Sequence, residues 1–216
     1  MYNPPWFRED DLDLIRGEIK RNGFGTLVTV ASSGGPLASH VPMILDETRG
    51  QKGTLYGHVA RGNLQWRDTR TGSEALAIFL GPDAYITPRW YETKKENGKV
   101  VPTWDYVAIH VRGPITFFHD TTRIRDVVTR LTNKHESGAS DPWEVSDAPR
   151  DYIESQLKSI VGFEVAVSRI DGKWKMSQNR PDADRMGVVR GLAERDEPQD
   201  AQVSQRVREQ KKKVEP

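Results

Sequence analysis

The sequence predicts a β-rich α+β fold, built on a closed or partly closed antiparallel barrel with flanking helices. Three observations carry that expectation. Strand-like runs dominate residues 24–119, and they are separated by turn residues rather than by crossover helices. The apolar period changes to that of a helix only on either side of this region. Alternation then returns briefly after residue 160.

Taken in order, the proline-bearing arm MYNPPWF leads into DLDLIRGEIKRNG. Leu12, Ile15 and Ile19 there fall at helical spacing, and Gly23 is placed as a stop. FGTLVTVA, LASHVPMILDE and TLYGHVA follow as strands, joined by the glycine-bearing gaps SSGGP and TRGQKG, as antiparallel neighbours are. EALAIFLGPDAYITP reads as a long strand bent or bulged at Gly81-Pro82-Asp83. RWYETKKENGKVVPT reads as an exposed loop, and WDYVAIHVRGPITFFH as another long strand. That makes roughly five strands before the next helix. TTRIRDVVTRLTNKHE sets Ile124, Val127, Val128 and Leu131 on one stripe, the mark of a half-buried helix. SDAPRDYIESQLKSIVG predicts a second helix, with Ser146 as its cap and Ile153, Leu157 and Ile160 inward. GFEVAVSRIDGKWKMS predicts two short strands about an Asp171-Gly172 turn, or one strand and its return. RPDADRMGVVRGLAER predicts a last helix. Residues 1–195 are expected to form one domain. Residues 196–216 are expected to form a charged tail, flexible or a frayed helix.

Composition narrows the function. With 36% hydrophobic and 29% charged residues in 216, the chain reads as globular. Its formal net charge of +1 gives no global footprint for nucleic acid. The absence of cysteine removes disulfides, thiol nucleophiles and cysteine-ligated zinc. MYNPPWFREDDLD lacks the cationic-then-apolar pattern of a secretory signal, and no apolar run reaches the roughly 18 residues of a membrane span. The expected location is cytoplasmic, with no membrane partner. The five histidines show no i, i+4 pair, and no GxSxG, Walker A or GxGxxG pattern is present.

HVARGNLQW is the segment with the most chemistry. A strand ending in small residues, followed by Arg61 and Asn63, gathers a guanidinium and an amide where a phosphate could sit. A helical turn begun by LQWRDTR would add N–H groups. The same residues also read as a solvated arginine, a capping asparagine and an ordinary strand histidine, His58. Trp104 and Tyr106, two apart on one strand face, and Trp174 beside Lys-Met-Ser-Gln-Asn suit either a heterocyclic ring or a barrel core with a polar rim. In the helix TTRIRDVVTRLTNKHE, Arg123, Arg125, Arg130 and Lys134 form the best basic face; a solvated surface explains it equally. Three consecutive lysines in the tail also admit nucleic-acid contact or a plain charged end.

The motifs MYNPPWF, FGTLVT, SHVPMILD, GTLYGHVARGNLQW, GPDAYITPRWY, KVVPTWDYVAIHVRG, DPWEVSDAPRDYI, IVGFEV and GKWKMSQNRPDADRMGVVRGL closely resemble the PaiB family, in order over residues 1–192. The resemblance implies an FMN-binding split barrel of about six antiparallel strands, related to the pyridoxamine-phosphate oxidases. It also implies a homodimer with two FMN sites at the subunit interface. By the same resemblance Ala60, Arg61 and Asn63, with His58 nearby, would hold the phosphate, and Ser39, His40 and Val41 would lie along the isoalloxazine. The second subunit would contribute Trp104, Tyr106, Lys175, Ser177 and Gln178. The oxidases' arginine and lysine pattern is replaced here by Ser39-His40 and Arg61-Gly62-Asn63, so their reaction is not implied. The implied role is negative regulation of transcription, with DNA as a partner and flavin as sensor or structural ligand. A flavin-dependent oxidoreductase using NAD(P)H and a non-catalytic dimer without flavin are the alternatives.

Overall fold

Among the described residues, the apolar and polar patterning turns into eight strands and seven α-helices. A computed structural model describes residues 1–195 and 197–210. In chain order the elements are β1 (Arg8–Glu9), α1 (Leu12–Arg21), β2 (Phe24–Val30), β3 (Pro36–Asp46), β4 (Thr54–Ala60), α2 (Gln65–Asp68), β5 (Glu74–Ile86), α3 (Thr93–Asn97), β6 (Thr103–Phe118), α4 (Thr121–Glu136), α5 (Arg150–Lys158), β7 (Ile160–Ala166), β8 (Arg169–Lys175), α6 (Asp182–Arg195) and α7 (Asp200–Glu209).

The sheet runs β1-β8-β6-β5-β2-β3-β4-β7, and a further β6–β7 pairing returns it on itself. Six strands therefore close a ring, while β1 and β8 extend it as two more. Packing divides the chain into two compact units. One comprises Arg16–Phe79 and His110–Ile170, the other Met1–Ile15, Leu80–Ile109 and the described residues from Asp171 onward.

In the first unit the ring is antiparallel throughout its named pairs: β2 with β3 (Leu27 opposite Ser39), β4 with β7 (His58 opposite Gly162), and β6 with β7 (Ile115 opposite Val165). Strand alternation sends one side chain of every two inward, so Leu27, Met43, Leu55, Phe79, Val111, Ile115, Val161 and Phe163 are buried. A second apolar layer lies on the outer face of β4. Tyr56 packs there with Phe118 and with the stripes of α4 (Ile124, Val127, Leu131) and α5 (Ile153, Leu157). The helical spacing in the sequence had placed the α4 stripe and Ile153 and Leu157 of α5 correctly, whereas Ile160, expected on the same helix, is the first residue of β7. Ser146 does not cap α5; it lies in a 3-10 turn closed by the reciprocal Glu144–Asp147 box, and α5 begins after Pro149.

In the second unit α6 crosses the 3-10 turn at Trp90, and two glycines permit the approach. A Cβ on Gly187 would lie 1.9 Å from the Trp90 carbonyl oxygen, and one on Gly191 2.2 Å from its ring. Buried Asp184 on α6 accepts from the Thr93 N–H (2.9 Å) and hydroxyl (2.7 Å), which fixes α3. The segment expected as an open loop thus holds a short helix tied down by a charged side chain. Arg195 chelates buried Asp200 through two bonds of 2.6 Å, and Val203 and Val207 of α7 are buried. Asp200 to Glu209 therefore form a packed helix, while Lys211 to Lys213, with their nucleic-acid reading, lie outside the described residues. Asp171-Gly172 lies within β8, and the break between the two late strands falls at Val167-Ser168 instead. Gly81-Pro82-Asp83 lies within a continuous β5.

Candidate functional site

The first unit gathers its polar groups at the end of β4. After Ala60 the chain turns through Arg61-Gly62-Asn63 into α2, and asparagine is suited to such a turn because its side chain can replace a backbone acceptor. Asn63 Oδ1 accepts the Gln65 N–H at 2.9 Å, while Asn63 Nδ2 donates to Ser39 Oγ at 2.7 Å. One side chain therefore joins the loop to β3. Gln65 continues the connection: it is 3% exposed, and its Nε2 donates to the Leu27 carbonyl (3.1 Å) and to Thr29 Oγ1 (3.0 Å). The Thr29 and Thr69 hydroxyls share a further bond of 2.7 Å. A buried polar pin thus holds the loop against β2 and β3.

Arg61 is bound from both its main chain and its side chain. Its N–H donates to the Ser159 carbonyl (2.8 Å), Nε to that of Lys158 (2.5 Å) and Nη2 to that of Ile160 (3.1 Å). These carbonyls span the junction of α5 and β7, so the guanidinium serves one carbonyl that the helix leaves unpaired, Lys158, and one at the start of β7, Ile160. Nη1 has no partner among the described residues. The helical turn expected from LQWRDTR is present as α2, but the Gln65 N–H at its start is already taken by Asn63.

The remaining predicted residues of this unit differ in what they present. Ala60 and His40 are exposed, and His40 Nδ1 lies 3.0 Å from Thr26 Oγ1. The Val41 side chain is turned into the barrel interior, leaving main chain alone to face outward. His58 is half-buried on the face of β4 that carries Tyr56, and its Nδ1 has no hydrogen-bond partner among the described residues. Burial pushes its pKa down, which keeps the imidazole neutral at physiological pH.

In the second unit Trp104 and Tyr106 share a face of β6, and Trp104 is 53% exposed with its ring 6.0 Å from that of Tyr85. A depression of about 330 Å³ is lined there by Leu80, Gly81, Asp83, Trp104, Tyr106 and Val107. Lys175, Ser177 and Gln178 are used differently. Lys175 Nζ donates to Thr103 Oγ1 (2.8 Å) and to the Trp104 carbonyl, and lies 3.6 Å from Asp105 Oδ1. Ser177, at φ 57° in the left-handed region, donates to Asp105 Oδ2 at 2.6 Å. Gln178 closes on its own turn, accepting the Met176 N–H (2.7 Å) and donating to the Trp174 carbonyl (2.6 Å). Asp105 is fully buried; burial raises its pKa, opposed by the Ser177 bond and by Lys175. Burial also lowers the Lys175 pKa, against the pull of Asp105.

Gln65 and Asp105 are the organising residues that sequence reasoning passed over. Asp105 sits between Trp104 and Tyr106, so strand alternation alone would have turned it to the opposite side. The basic face of α4 is also resolved: Arg123 pairs with Glu164 (2.9 Å), Arg125 with Glu154 (2.7 Å) and Arg130 with Asp46 (3.0 Å). These arginines bind the helix to its neighbours.

Residues 1–169 match the family model described as "Putative FMN-binding domain". The chain is 33% identical over 213 residues to the protease synthase and sporulation protein PAI 2 of Bacillus subtilis, covering 99% of each. Among solved structures it is similar to a conserved hypothetical protein of Mycobacterium tuberculosis, with TM-score 0.58, 9% identity, and 84% of this chain and 94% of that one covered. It is also similar to the FAD and heme binding protein of Mycobacterium smegmatis, with TM-score 0.57, 13% identity, and coverage of 78% and 73%. Those two likenesses concern the fold alone. Barrel and family model together define the class: a split-barrel flavoprotein whose cofactor is FMN. Within that class, the chain belongs to the PaiB family.

The residues at the β4 end fit the flavin's phosphate in donor chemistry. Ser39 brings a hydroxyl and Asn63 an amide with one of its N–H groups engaged; Arg61 adds a cation with Nη1 uncommitted. When bound, FMN supplies one- and two-electron transfer, and the protein's part is to hold and orient it. No helix among the described residues is long and apolar enough to cross a membrane.

Proposed function

We propose that this chain is a homodimeric, FMN-binding negative regulator of transcription, in which flavin serves as sensor or structural ligand. The observation that carries the reading is the end-to-end similarity to a Bacillus protein named for both protease synthesis and sporulation. One protein affecting two such processes is simply explained by control of expression. In this reading Ser39, Arg61 and Asn63 hold the phosphate, and the main chain of His40 and Val41 runs along the ring. Trp104 and Tyr106 of the partner subunit supply flat aromatic cover, which their exposed face and the adjoining depression support. Lys175, Ser177 and Gln178 act beneath them, fixing β6 and β8 through Asp105 and the local turn.

A second reading, a flavin-dependent oxidoreductase using NAD(P)H, is favoured by His58. A neutral, half-buried imidazole with an unengaged nitrogen suits proton handling beside a redox group. Two measurements on the purified protein decide between them. A salt-sensitive, sequence-selective shift of promoter fragments supports the regulator, and its absence across a genomic fragment library overturns it. Rapid anaerobic bleaching of bound flavin by NADH or NADPH supports the enzyme. Because Arg125 is held by Glu154, Arg125→Ala should leave any DNA shift unchanged. Sedimentation equilibrium at the mass of a single chain would overturn the dimer.

A further inference from the structure

A cavity of about 350 Å³ opens in the first unit at the far end of β4 from the Arg61 loop, between the β3–β4 hairpin and α4. That volume is at the low end of the roughly 300–1,000 Å³ typical of small-molecule sites. Its apolar lining comes from Phe118, Val127 and the ring of Tyr56. Tyr56 is 5% exposed, yet its hydroxyl oxygen has no hydrogen-bond partner among the described residues. A buried hydroxyl left unsatisfied is costly, so such a group commonly marks a place where something else binds.

The charges around the cavity are nearly balanced. Arg130 is paired with Asp46 and lies 3.7 Å from Asp126, and Arg123 is paired with Glu164 while its guanidinium sits 4.0 Å from the Phe118 ring centroid. Arg49, on the hairpin turn, lines the same cavity without a side-chain partner among the described residues. Arg49, Arg123 and Arg130 are thus matched in number by Asp46, Asp126 and Glu164, and Arg49 is the one of the three arginines with no ion pair of its own among the described residues, beside one buried donor and an apolar wall. We infer that this cavity is a second ligand site, for a small carboxylic acid with an apolar body. Arg49 and the Tyr56 hydroxyl take the carboxylate, and Phe118 and Val127 take the body. Burial raises the Tyr56 pKa, so the phenol stays protonated and able to donate. The site lies four residues along β4 from Ala60 and is independent of the flavin assignment.

Calorimetric titration of the full chain with benzoate tests this, with benzyl alcohol as the neutral match and inorganic phosphate as the anion without a body. Saturable benzoate binding is expected, with both other probes weaker. Tyr56→Phe and Arg49→Ala should each weaken benzoate about tenfold or more, the effect of losing one hydrogen bond to a charged group. Tyr56→Phe should leave the melting temperature of the unliganded protein unchanged or raised, because the hydroxyl it removes is unsatisfied. Arg49→Ala, on an exposed turn, tests the site without touching the core. The proposal is overturned by the absence of saturable benzoate binding or by wild-type affinity in either variant. It is likewise overturned if benzyl alcohol or phosphate binds as tightly as benzoate.

Discussion

Asn63→Asp separates the scaffold from the ligand at the β4 end. The side-chain oxygen that accepts the Gln65 N–H is kept, and the Ser39 hydroxyl can turn to donate to the second carboxylate oxygen. Folding should therefore be nearly unaffected, within about 0.5 kcal/mol, the usual range for a change that leaves the local bonds satisfied. In the proposed placement the flavin phosphate, by contrast, would meet a negative charge. Two unit charges 4 Å apart repel by about 1 kcal/mol in water and about 4 kcal/mol at an effective dielectric of 20. For a half-buried residue an intermediate value of about 2 kcal/mol is expected, or roughly thirtyfold in affinity. The assay is flavin-fluorescence titration with FMN and with riboflavin, beside thermal melts of the apoprotein. FMN should lose about thirtyfold while riboflavin, lacking the phosphate, changes little. Asn63→Ala should do the reverse in part, lowering apoprotein stability by about 1 kcal/mol through loss of the turn acceptor. FMN affinity within threefold or so of wild type in Asn63→Asp would place the phosphate elsewhere.

Arg61→Ala should destabilise the apoprotein by about 1–2 kcal/mol, discounted for partial exposure, because two carbonyls at the α5–β7 junction lose their donors; an unchanged melt would show that these bonds contribute nothing. Gly191→Ala should cost about 1–3 kcal/mol by forcing a methyl into the Trp90 ring, measured by urea denaturation; an equal midpoint would mean that α6 shifts freely. Asp46 is held below its ordinary value of 3.8, chiefly by the Thr48 hydroxyl and further by Arg130. A lowered carboxylate pKa contributes stability that is present above the unfolded value and lost as pH falls through the folded one. The stability gap between wild type and Asp46→Asn should therefore close below about pH 4, and a gap independent of pH would refute the assignment. Removing residues 197–216 should destabilise the second unit, since Val203 and Val207 are buried and Arg195 would lose Asp200; an unaltered melt would show α7 to be peripheral.

The barrel and its helices were legible in the sequence because both depend on periodicity. Alternation placed Leu27, Met43 and Leu55 inward, and three-four spacing placed Ile124, Val127 and Leu131 on one stripe. What periodicity could not reveal was how the polar residues are spent. Arg61 has the composition of a ligand contact, yet three of its N–H groups serve carbonyls nearly a hundred residues away in sequence, a relation no local pattern encodes. Gln65 carries no local signal of its role, and only the folded barrel end makes it a buried donor. The arginines of α4 formed a basic face in isolation, because their acidic partners come from β3, β7 and α5. Asp105 owes its place to Ser177 and Lys175, partners from a distant part of the chain that no local pattern links to it.

The pin formed by Asn63, Gln65 and Thr29 bears on how flavin could act as a signal. A loop already fastened at several points has little conformational freedom left to surrender when FMN arrives. Uptake should be rapid and close to rigid-body docking, with little ordering penalty. The same rigidity makes the loop a poor messenger, since a switch needs two arrangements of similar energy. If flavin occupancy is sensed, the responding element is to be sought away from the phosphate, among parts of the chain that are not fastened in advance.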